Sequence, residues 1–384
     1  MVPNTKVLWF LSSKKLGLNI FSIIRRFSSD NGVIIQEIND KGILIFNRPK
    51  VHNAINSVMM ANFYGALRKF ENDKKKLLIV KGSGGRAYCA GGDLKALTKD
   101  GRNDGGEKHE LLKYSNASIL WMSARKIPIV ALVHGITLGG GVGLAVFGKY
   151  QVATEKTLLG MPESKIGFHP NCGASYFFTR LNGRLGWYLG LTGQNINGAD
   201  AVRIGLVSHY CHSSKLPALE NQLLKCANET EVANTLDEFC ESDIPEFSLG
   251  HAKNTIDRCF SAYSVEEILS RLIEDGSTWS KNTIETLTKL SPTSLKVILK
   301  QLNKAKEMTL RDCLIMEYNL TNNFWKSDET HEGVRAKLID RDDNPRWNPS
   351  SLSEVSDELV EHFFSTTLYE EDHNKILQPL EDLL

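Results

Sequence analysis

The sequence IPIVALVHGITLGGGVGLAV, residues 127–146, is the clearest indication of the fold class of this chain. Its first part, residues 127–135, is an apolar run that ends in glycine, as expected of a buried β-strand. Three consecutive glycines, Gly139 to Gly141, then precede an apolar helical pattern. A buried strand that passes through a glycine loop into a helix is typical of α/β proteins, in which ligands bind at the strand ends.

A second stretch of the same kind lies upstream. The run LLIVKGS, residues 77–83, is a buried strand ending in glycine, and CAGGDLKAL, residues 89–97, places Gly91 and Gly92 before Asp93 and a helical pattern. Backbone N–H groups at such turns can bind developing negative charge. Taken alone, each loop is more often a tight packing turn, but two of them after successive buried strands favour an oxyanion hole with two donors.

Other motifs for nucleotide binding and hydrolysis do not fit this sequence. Neither glycine cluster has the spacing GxxxxGK[ST] or the full spacing GxGxxG, so phosphate cradles of those kinds are weakly supported. The sequence contains no GxSxG, which argues against an α/β-hydrolase with a serine nucleophile. It also contains no HExxH or CxxC, and we expect no structural metal site.

Local patterns extend the strand–strand–helix unit over the first two thirds of the chain. Residues 33–47 predict a hairpin in which Gly42 supplies a positive φ, and Asn56 is a candidate N-cap for a helix over 56–73. Further elements are predicted by hydrophobic periodicity: helices over 109–126 and 173–192, the latter broken near Asn182-Gly183, and a strand over 150–153. From about residue 215 the pattern becomes helical.

The first 28 residues differ from the rest. They contain five basic residues and several serines among apolar residues, and the first acid is Asp30. This composition predicts a mitochondrial transit peptide over residues 1–28, with RRFSS, residues 25–29, as a processing site. The alternative is an N-terminal arm that is disordered or covers the core. Removing five basic residues from 46 leaves 41 against 45 acidic residues, a charge of about −4 that argues against a large nucleic-acid-binding face.

The remaining composition is that of an ordinary globular protein. The chain has 384 residues, of which 41% are hydrophobic, and no run of 18 apolar residues, so we expect no membrane span. Seven cysteines without a CxxC motif are expected to be free thiols in a reducing compartment. The stretch after residue 364 is acidic and thinly apolar, and we expect residues 365–384 to form a loosely held tail.

The segment GMPESKIGFHPNCGASYFFTRL, residues 160–181, holds one acid, Glu163, among apolar residues and glycines. Eight residues later comes the amide Asn171. A lone carboxylate can act as a general base or a nucleophile, and an amide can hydrogen-bond a substrate hydroxyl without taking a proton. The alternative for Glu163 is an ion-paired surface acid.

The motifs together resemble the crotonase, or enoyl-CoA hydratase/isomerase, superfamily and within it the 3-hydroxyisobutyryl-CoA hydrolase branch. The resemblance runs from about residue 33 to 364 and rests on five segments in order: CAGGDLKAL, HGITLGGGVGL, ATEKTLLGMPESKIGFHP, GLTGQNINGADAVRIGLVSHY and EGVRAKLIDRDDNPRWNP. It implies an α/β fold, a crotonase-like ββα spiral over residues 33–215 followed by a helical region over 216–364. It also implies an acyl-CoA substrate, with no cofactor because CoA is part of that substrate.

The resemblance assigns roles to the site residues. The N–H groups of Gly92 and Gly140 would bind the thioester oxygen, with Gly91 beside them in the substrate loop. Glu163 falls on the glutamate of the family's MPE motif, as nucleophile or general base. Hydratases of the superfamily carry a second glutamate where this chain has Gly143, so thioester hydrolysis fits better than hydration.

Two positions depart from the hydrolase pattern. Asn171 stands where the branch has an aspartate of the substrate site, and the acid expected from a helix ahead of the second glycine loop is missing near Tyr114-Ser115, with Glu110 offset by about a turn.

Three functions therefore stay open. The first is a 3-hydroxyisobutyryl-CoA hydrolase of valine catabolism in the mitochondrial matrix. The second is a non-catalytic component of the mitochondrial small ribosomal subunit, and the third is another acyl-CoA isomerase or hydratase.

Overall fold

The computed structural model describes residues 24–28, 31–99, 105–124 and 126–365. Residues 1–23, most of the predicted transit peptide, lie outside the described residues, as does the predicted tail beyond Ser365. Residues 24–28 form a strand that pairs antiparallel with residues 34–38.

Eleven strands alternate with helices in the first part of the described chain. The strands are β1 (Ile24–Ser28), β2 (Val33–Ile38), β3 (Lys41–Phe46), β4 (Leu77–Gly82), β5 (Ala87–Cys89), β6 (Ile129–Val133), β7 (Ile136–Leu138), β8 (Tyr150–Ala153), β9 (Leu158–Gly160), β10 (Ile196–Asn197) and β11 (His209–Tyr210). The helices among them are α1 (Ser57–Asn72), α2 (Leu94–Lys99), α3 (Gly105–Ser123), α4 (Gly140–Val146), α5 (Ala174–Phe178), α6 (Leu185–Thr192) and α7 (Gly198–Arg203).

The strands form two sheets that share each turn of the chain. The larger sheet has the order β1-β2-β3-β4-β6-β8-β11 and the smaller one β10-β9-β7-β5. Along the chain, β4, β6 and β8 lie in the larger sheet, and each is followed by a strand of the smaller sheet and then by helical structure. The strands β3, β4, β6, β8 and β11 pair in parallel. This arrangement is the predicted ββα spiral.

The described chain after β11 contains helices and no strands. They are α8 (Leu216–Leu223), α9 (Glu229–Phe239), α10 (Lys253–Cys259), α11 (Val265–Asp275), α12 (Thr278–Thr288), α13 (Pro292–Ala305), α14 (Leu310–Lys326), α15 (Asp328–Val334) and α16 (Asp357–Phe364). One continuous cluster of buried apolar side chains extends from Val33 in β2 to Phe363 in α16. The helical region and the spiral therefore share a core. No helix among the described residues has the length and apolarity needed to cross a membrane.

The local predictions for α1 and the broken helix agree with the structure. Asn56 caps α1 by accepting a hydrogen bond from the Met59 N–H at 2.9 Å, and α5 and α6 are separated by the segment that contains Asn182 and Gly183. The third helix begins earlier than predicted, since it spans residues 105–123 instead of 109–126.

The prediction for Gly42 was wrong. The hairpin turn consists of Asn39 and Asp40, because Ile38 pairs with Lys41, and it is Asn39 that has a positive φ of 55°. Asparagine tolerates the left-handed region because its short side chain bonds locally. Gly42 lies inside β3, where a Cβ would come within 2.7 Å of Phe70 and Leu78. Its role is close packing against α1 and β4.

Candidate active site

The first glycine loop is fixed by bonds to the segment before α1. The Ile55 N–H donates to the Gly91 oxygen at 2.8 Å, and the Asp93 N–H donates to the Ile55 oxygen at 2.8 Å. Arg48 forms an ion pair with the Asp93 carboxylate at 2.8 Å. These contacts hold Gly92, whose own N–H has no acceptor among the described residues.

The second glycine loop lies against the first. Gly139 donates its N–H to the Gly160 oxygen at 3.0 Å and has a φ of 52° and a ψ of −128°, a conformation that favours glycine. A Cβ on Gly91 would lie 2.8 Å from the Leu138 oxygen and 3.2 Å from the Gly140 nitrogen. Within the described chain the Gly140 N–H, the first of α4, also has no acceptor. The two loops therefore approach each other closely, and each has one N–H group, that of Gly92 or Gly140, without an acceptor among the described residues.

Glu163 lies in a 3₁₀ turn, residues Pro162–Ile166, that follows β9. Its Oε1 atom is 2.8 Å from the place that a Cβ on Gly139 would take, so the carboxylate rests on the second glycine loop. Its Oε2 atom is buried and has no hydrogen-bond partner among the described residues. Burial raises the pKa of Glu163 to about 8, and the nearby carboxylate of Glu317 adds to the increase. A buried carboxyl with a free oxygen is therefore available for proton transfer or attack.

The five residues that the sequence singled out line one cavity. Its volume is about 710 Å³, and its walls include Gly91, Gly92, Gly140, Glu163 and Asn171. They come from the loops after β5, β7 and β9, which the spiral brings together although Gly91 and Asn171 are 80 residues apart in sequence.

Polar but uncharged side chains line the cavity at the two positions that depart from the hydrolase pattern. Asn171 is half-buried, and Ser115 on α3 is 2% exposed. Glu110 does not line the cavity and lies 3.6 Å from Lys113 in an ion pair. Among the residues described, α3 thus presents Ser115 to the cavity and no carboxylate.

Gly143, where hydratases carry their second glutamate, has no room for a side chain. A Cβ there would lie 2.4 Å from the Cys172 oxygen and 2.8 Å from the Cys172 Cβ. The loop that follows Asn171 occupies this space.

A buried acid that the sequence analysis did not identify lies behind this loop. Glu317 on α14 is 2% exposed, and its carboxylate accepts hydrogen bonds from the Gly173 N–H at 2.7 Å and the Ser175 N–H at 2.8 Å. Burial raises its pKa to about 7. The available signal was an acid on the apolar stripe of a helix, with Cys313 and Phe324 on the same face.

The walls of the cavity are positively charged. Six basic side chains contribute: Lys50, Lys95, Lys108, Lys165, Lys337 and Arg341. The acids in the wall are Asp93, which is paired with Arg48, and Glu163. Burial and the neighbouring Lys337 lower the pKa of Lys165, as expected where cations gather around a site for an anion.

Two sheets built from ββα turns, with the N–H groups of Gly92 and Gly140 in one cavity with a buried glutamate, are the arrangement that the resemblance to the crotonase superfamily predicts. The chain belongs to the enoyl-CoA hydratase/isomerase family, whose model matches residues 41–364. The resemblance seen in the sequence is thereby confirmed.

Several curated relatives cover nearly the whole chain. The 3-hydroxyisobutyryl-CoA hydrolase, mitochondrial, of Danio rerio is 40% identical over 87% of this chain and 89% of that protein. The human protein of the same name is also 40% identical, over 87% of this chain and 88% of its own length.

Solved structures agree with the fold. A carnitinyl-CoA dehydratase from Mycobacterium thermoresistibile has a TM-score of 0.83 at 29% identity, covering 88% of this chain and 97% of that one. An enoyl-CoA hydratase from Rhodobacter sphaeroides has a TM-score of 0.77 at 27% identity, covering 88% and 98%.

Proposed function

We propose that this chain is a 3-hydroxyisobutyryl-CoA hydrolase, an enzyme that cleaves the thioester of a short 3-hydroxyacyl-CoA with water. Relatives of that name at 40% identity support the substrate. The observation that carries the proposal is the unpartnered Oε2 of the buried Glu163, in the same cavity as the free N–H groups of Gly92 and Gly140.

The oxyanion is stabilised by the backbone. When a nucleophile adds to the thioester carbonyl, negative charge develops on its oxygen, and the N–H groups of Gly92 and Gly140 donate to that oxygen. In well-studied enzymes one such donor contributes about 2.7–4 kcal/mol. Contacts of Gly91 with Leu138 and of Ile55 with Gly91 fix the loops before substrate binds, so little reorganisation is needed.

Glu163 can act in two ways, and each route accounts for every atom and charge. As a nucleophile, its carboxylate displaces the CoA thiolate and forms an acyl anhydride, which water then hydrolyses. As a general base, it removes a proton from water, the hydroxide adds to the carbonyl, and the CoA thiolate leaves with that proton. Single turnover in H₂¹⁸O identifies the nucleophilic route if ¹⁸O enters the Glu163 carboxyl, which occurs when water adds to the glutamyl carbonyl of the anhydride and cannot occur by the general-base route.

The uncharged part of the cavity lining suits the acyl group. The Asn171 amide and the Ser115 hydroxyl provide donors and acceptors for a 3-hydroxyl group, and Leu111, Leu112 and Phe168 provide an apolar wall. The basic side chains in the cavity wall attract the phosphates of CoA. Water is the second substrate, so the reaction requires neither a metal nor a further cofactor.

We place the enzyme in the mitochondrial matrix. Relatives named mitochondrial support the organelle, and the acid-free, basic first 28 residues support an import signal into the matrix. A reporter fused to residues 1–40 should enter the matrix and lose about 28 residues. Cytosolic retention of the uncut fusion would contradict this localisation.

Release of free thiol from 3-hydroxyisobutyryl-CoA by the purified full-length chain tests the proposed activity. The matched control is Glu163→Gln, which keeps the shape of the side chain. Thiol release by the parent chain and not by the variant supports the proposal, and no release by either chain opposes it.

Two other candidate functions have specific observations in their favour. The uncharged Asn171 and Ser115 favour a non-catalytic component of the mitochondrial small ribosomal subunit, and cosedimentation with that subunit tests it. Structural likeness to a hydratase favours hydration of an enoyl-CoA. The lack of space at Gly143 opposes hydration, and product analysis with crotonyl-CoA tests it.

A further inference from the structure

We infer that Glu317, on α14 of the C-terminal helical region, is a positioning residue that holds the Asn171 loop against the active-site cavity. This inference rests on the proposed function, because it assigns the loop to recognition of the acyl hydroxyl. It concerns a residue 154 positions from Glu163 in the sequence.

The loop has an unusual backbone. Cys172 has a φ of 56° and Gly173 a φ of 84°, so two successive residues are in the left-handed region. For cysteine, which lacks the local side-chain bonding that favours asparagine there, this conformation is uncommon and indicates support from the surrounding structure. Cys172 lines the cavity, and its sulphur lies 3.3 Å from the place that a Cβ on Gly140 would take.

Glu317 provides the enforcing contacts. Its two carboxylate oxygens each accept one backbone N–H, from Gly173 at 2.7 Å and from Ser175 at 2.8 Å. Its side chain is buried, and no basic side chain among the described residues forms an ion pair with it. The Ser175 side chain also hydrogen-bonds this carboxylate. Among the described residues, the hydrogen bonds to the buried Glu317 carboxylate therefore come from Gly173 and Ser175, and they restrict the position of the loop.

Other contacts hold the remaining catalytic groups. The first glycine loop is bonded to Ile55, and the second glycine loop is bonded to Gly160. Glu163 belongs to a different turn, closed by the Phe168 N–H. Loss of the Glu317 contacts should therefore displace Asn171 and leave the oxyanion donors and Glu163 in place.

A comparison of two thioesters tests this role. Isobutyryl-CoA lacks the hydroxyl of 3-hydroxyisobutyryl-CoA and is otherwise the same. In Glu317→Gln, one oxygen becomes a donor that cannot accept an amide N–H, so kcat/KM should fall at least about tenfold for the hydroxylated substrate, the worth of one hydrogen bond. The loss for isobutyryl-CoA should be less than about threefold.

The matched control is Glu329→Gln. Glu329 is also a buried acid of the helical region, 5% exposed, but its carboxylate bonds Ser291 and does not contact the Asn171 loop. A purely structural effect of removing a buried acid should appear in both variants, without discrimination between the two substrates.

Cys172 supplies a rescue experiment. In the Glu317→Gln background, Cys172→Gly removes the side chain that disfavours a φ of 56°. It should restore part of the lost preference for 3-hydroxyisobutyryl-CoA over isobutyryl-CoA, measured as the ratio of the two kcat/KM values. Cys172→Ala removes the thiol but keeps the Cβ and should restore none. Glu317→Asp, which keeps the charge but reaches less far, provides a second variant if Glu317→Gln does not fold.

Hydrogen exchange gives a readout that does not require activity. The amides of Gly173 and Ser175 should exchange at least about tenfold faster in Glu317→Gln than in the parent chain and at the parent rate in Glu329→Gln. Equal exchange in all three proteins, or equal losses for both thioesters, would overturn the inference. If the parent hydrolyses neither thioester, the proposed function fails, and the exchange rates alone decide whether Glu317 holds the loop.

Discussion

Replacement of Glu163 by glutamine should have opposite effects on activity and stability. The carboxyl is buried, and its pKa is raised to about 8 from the ordinary value of 4.5. The folded state therefore holds its proton more tightly than the unfolded state, and the free energy of unfolding contributed by this group falls as the pH rises from 4.5 to 8. Glutamine has the same shape and does not titrate.

The size of the effect follows from the two pKa values. Placing this group in the folded state costs about 1 kcal/mol at pH 5.5 and about 4 kcal/mol at pH 8. Relative to the parent, the free energy of unfolding of Glu163→Gln should therefore be about 3 kcal/mol more favourable to the folded state at pH 8 than at pH 5.5. For a chain of this size that corresponds to a difference of about 4 °C in Tm. Any pH-independent cost of burying the amide cancels in this difference. Glu317, the other buried acid near the site, is present in both proteins and is not the source of the difference.

Activity should change in the other direction. Both possible roles of Glu163 need the ionised carboxylate, so kcat/KM of the parent should rise about 90-fold between pH 6 and pH 9, with a midpoint near 8. Glu163→Gln should lower kcat at least about 100-fold, the low end for a positioned acid–base group.

The assay combines thiol release with thermal unfolding at the two pH values. Glu110→Gln is the control, because this acid lies on α3 outside the cavity and should change neither quantity. If the difference in Tm between parent and Glu163→Gln is the same at pH 5.5 and pH 8, burial does not hold the Glu163 carboxyl in its protonated form.

Three further substitutions test the rest of the site. Gly143→Glu should lower Tm without giving hydration of crotonyl-CoA, because its Cβ would lie 2.4 Å from the Cys172 oxygen; measurable hydration would contradict this. Asn171→Asp should raise kcat/KM about tenfold, or about 1.4 kcal/mol of barrier, because the acid can share a proton with the reacting groups; equal rates would mean that the amide suffices. Gly91→Ala should lower kcat about 100-fold or more, because φ is 82° and the Cβ would meet the Leu138 oxygen at 2.8 Å, moving the Gly92 donor; unchanged kcat would remove Gly92 from the oxyanion hole.

The glycine loops and Glu163 could be predicted from the sequence because the signals are local. A buried strand, a glycine cluster and a helical pattern follow one another within 20 residues at 127–146. Hydrophobic periodicity gave the strand at 150–153 with the same bounds as the structure. The turn around Gly42 was misassigned because glycine serves both for positive φ and for close packing, and only tertiary contacts distinguish the two.

Glu317 could not be connected to the site from the sequence. Its partners, Gly173 and Ser175, are 144 and 142 residues away. An acid on the apolar face of a helix indicates a buried polar contact, but the contact itself depends on how α14 packs against α5. Position 115 is an intermediate case: the sequence showed that no acid is nearby, and the structure shows that the small Ser115 faces the cavity.

The choice between hydrolysis and hydration depends on the same packing. The resemblance implies that hydratases carry a second glutamate at the position that corresponds to Gly143. In this chain the Cys172 backbone occupies the space that the side chain of such a glutamate would need. Cys172 has a left-handed backbone, and the residues that follow it, Gly173 and Ser175, donate their N–H groups to Glu317. If Glu317 positions this loop as inferred above, the C-terminal helical region favours hydrolysis in two ways, because it would present Asn171 to the acyl group and exclude a second carboxylate. A change of reaction would require displacement of this loop as well as a new acid, and a substitution at Gly143 alone is not sufficient.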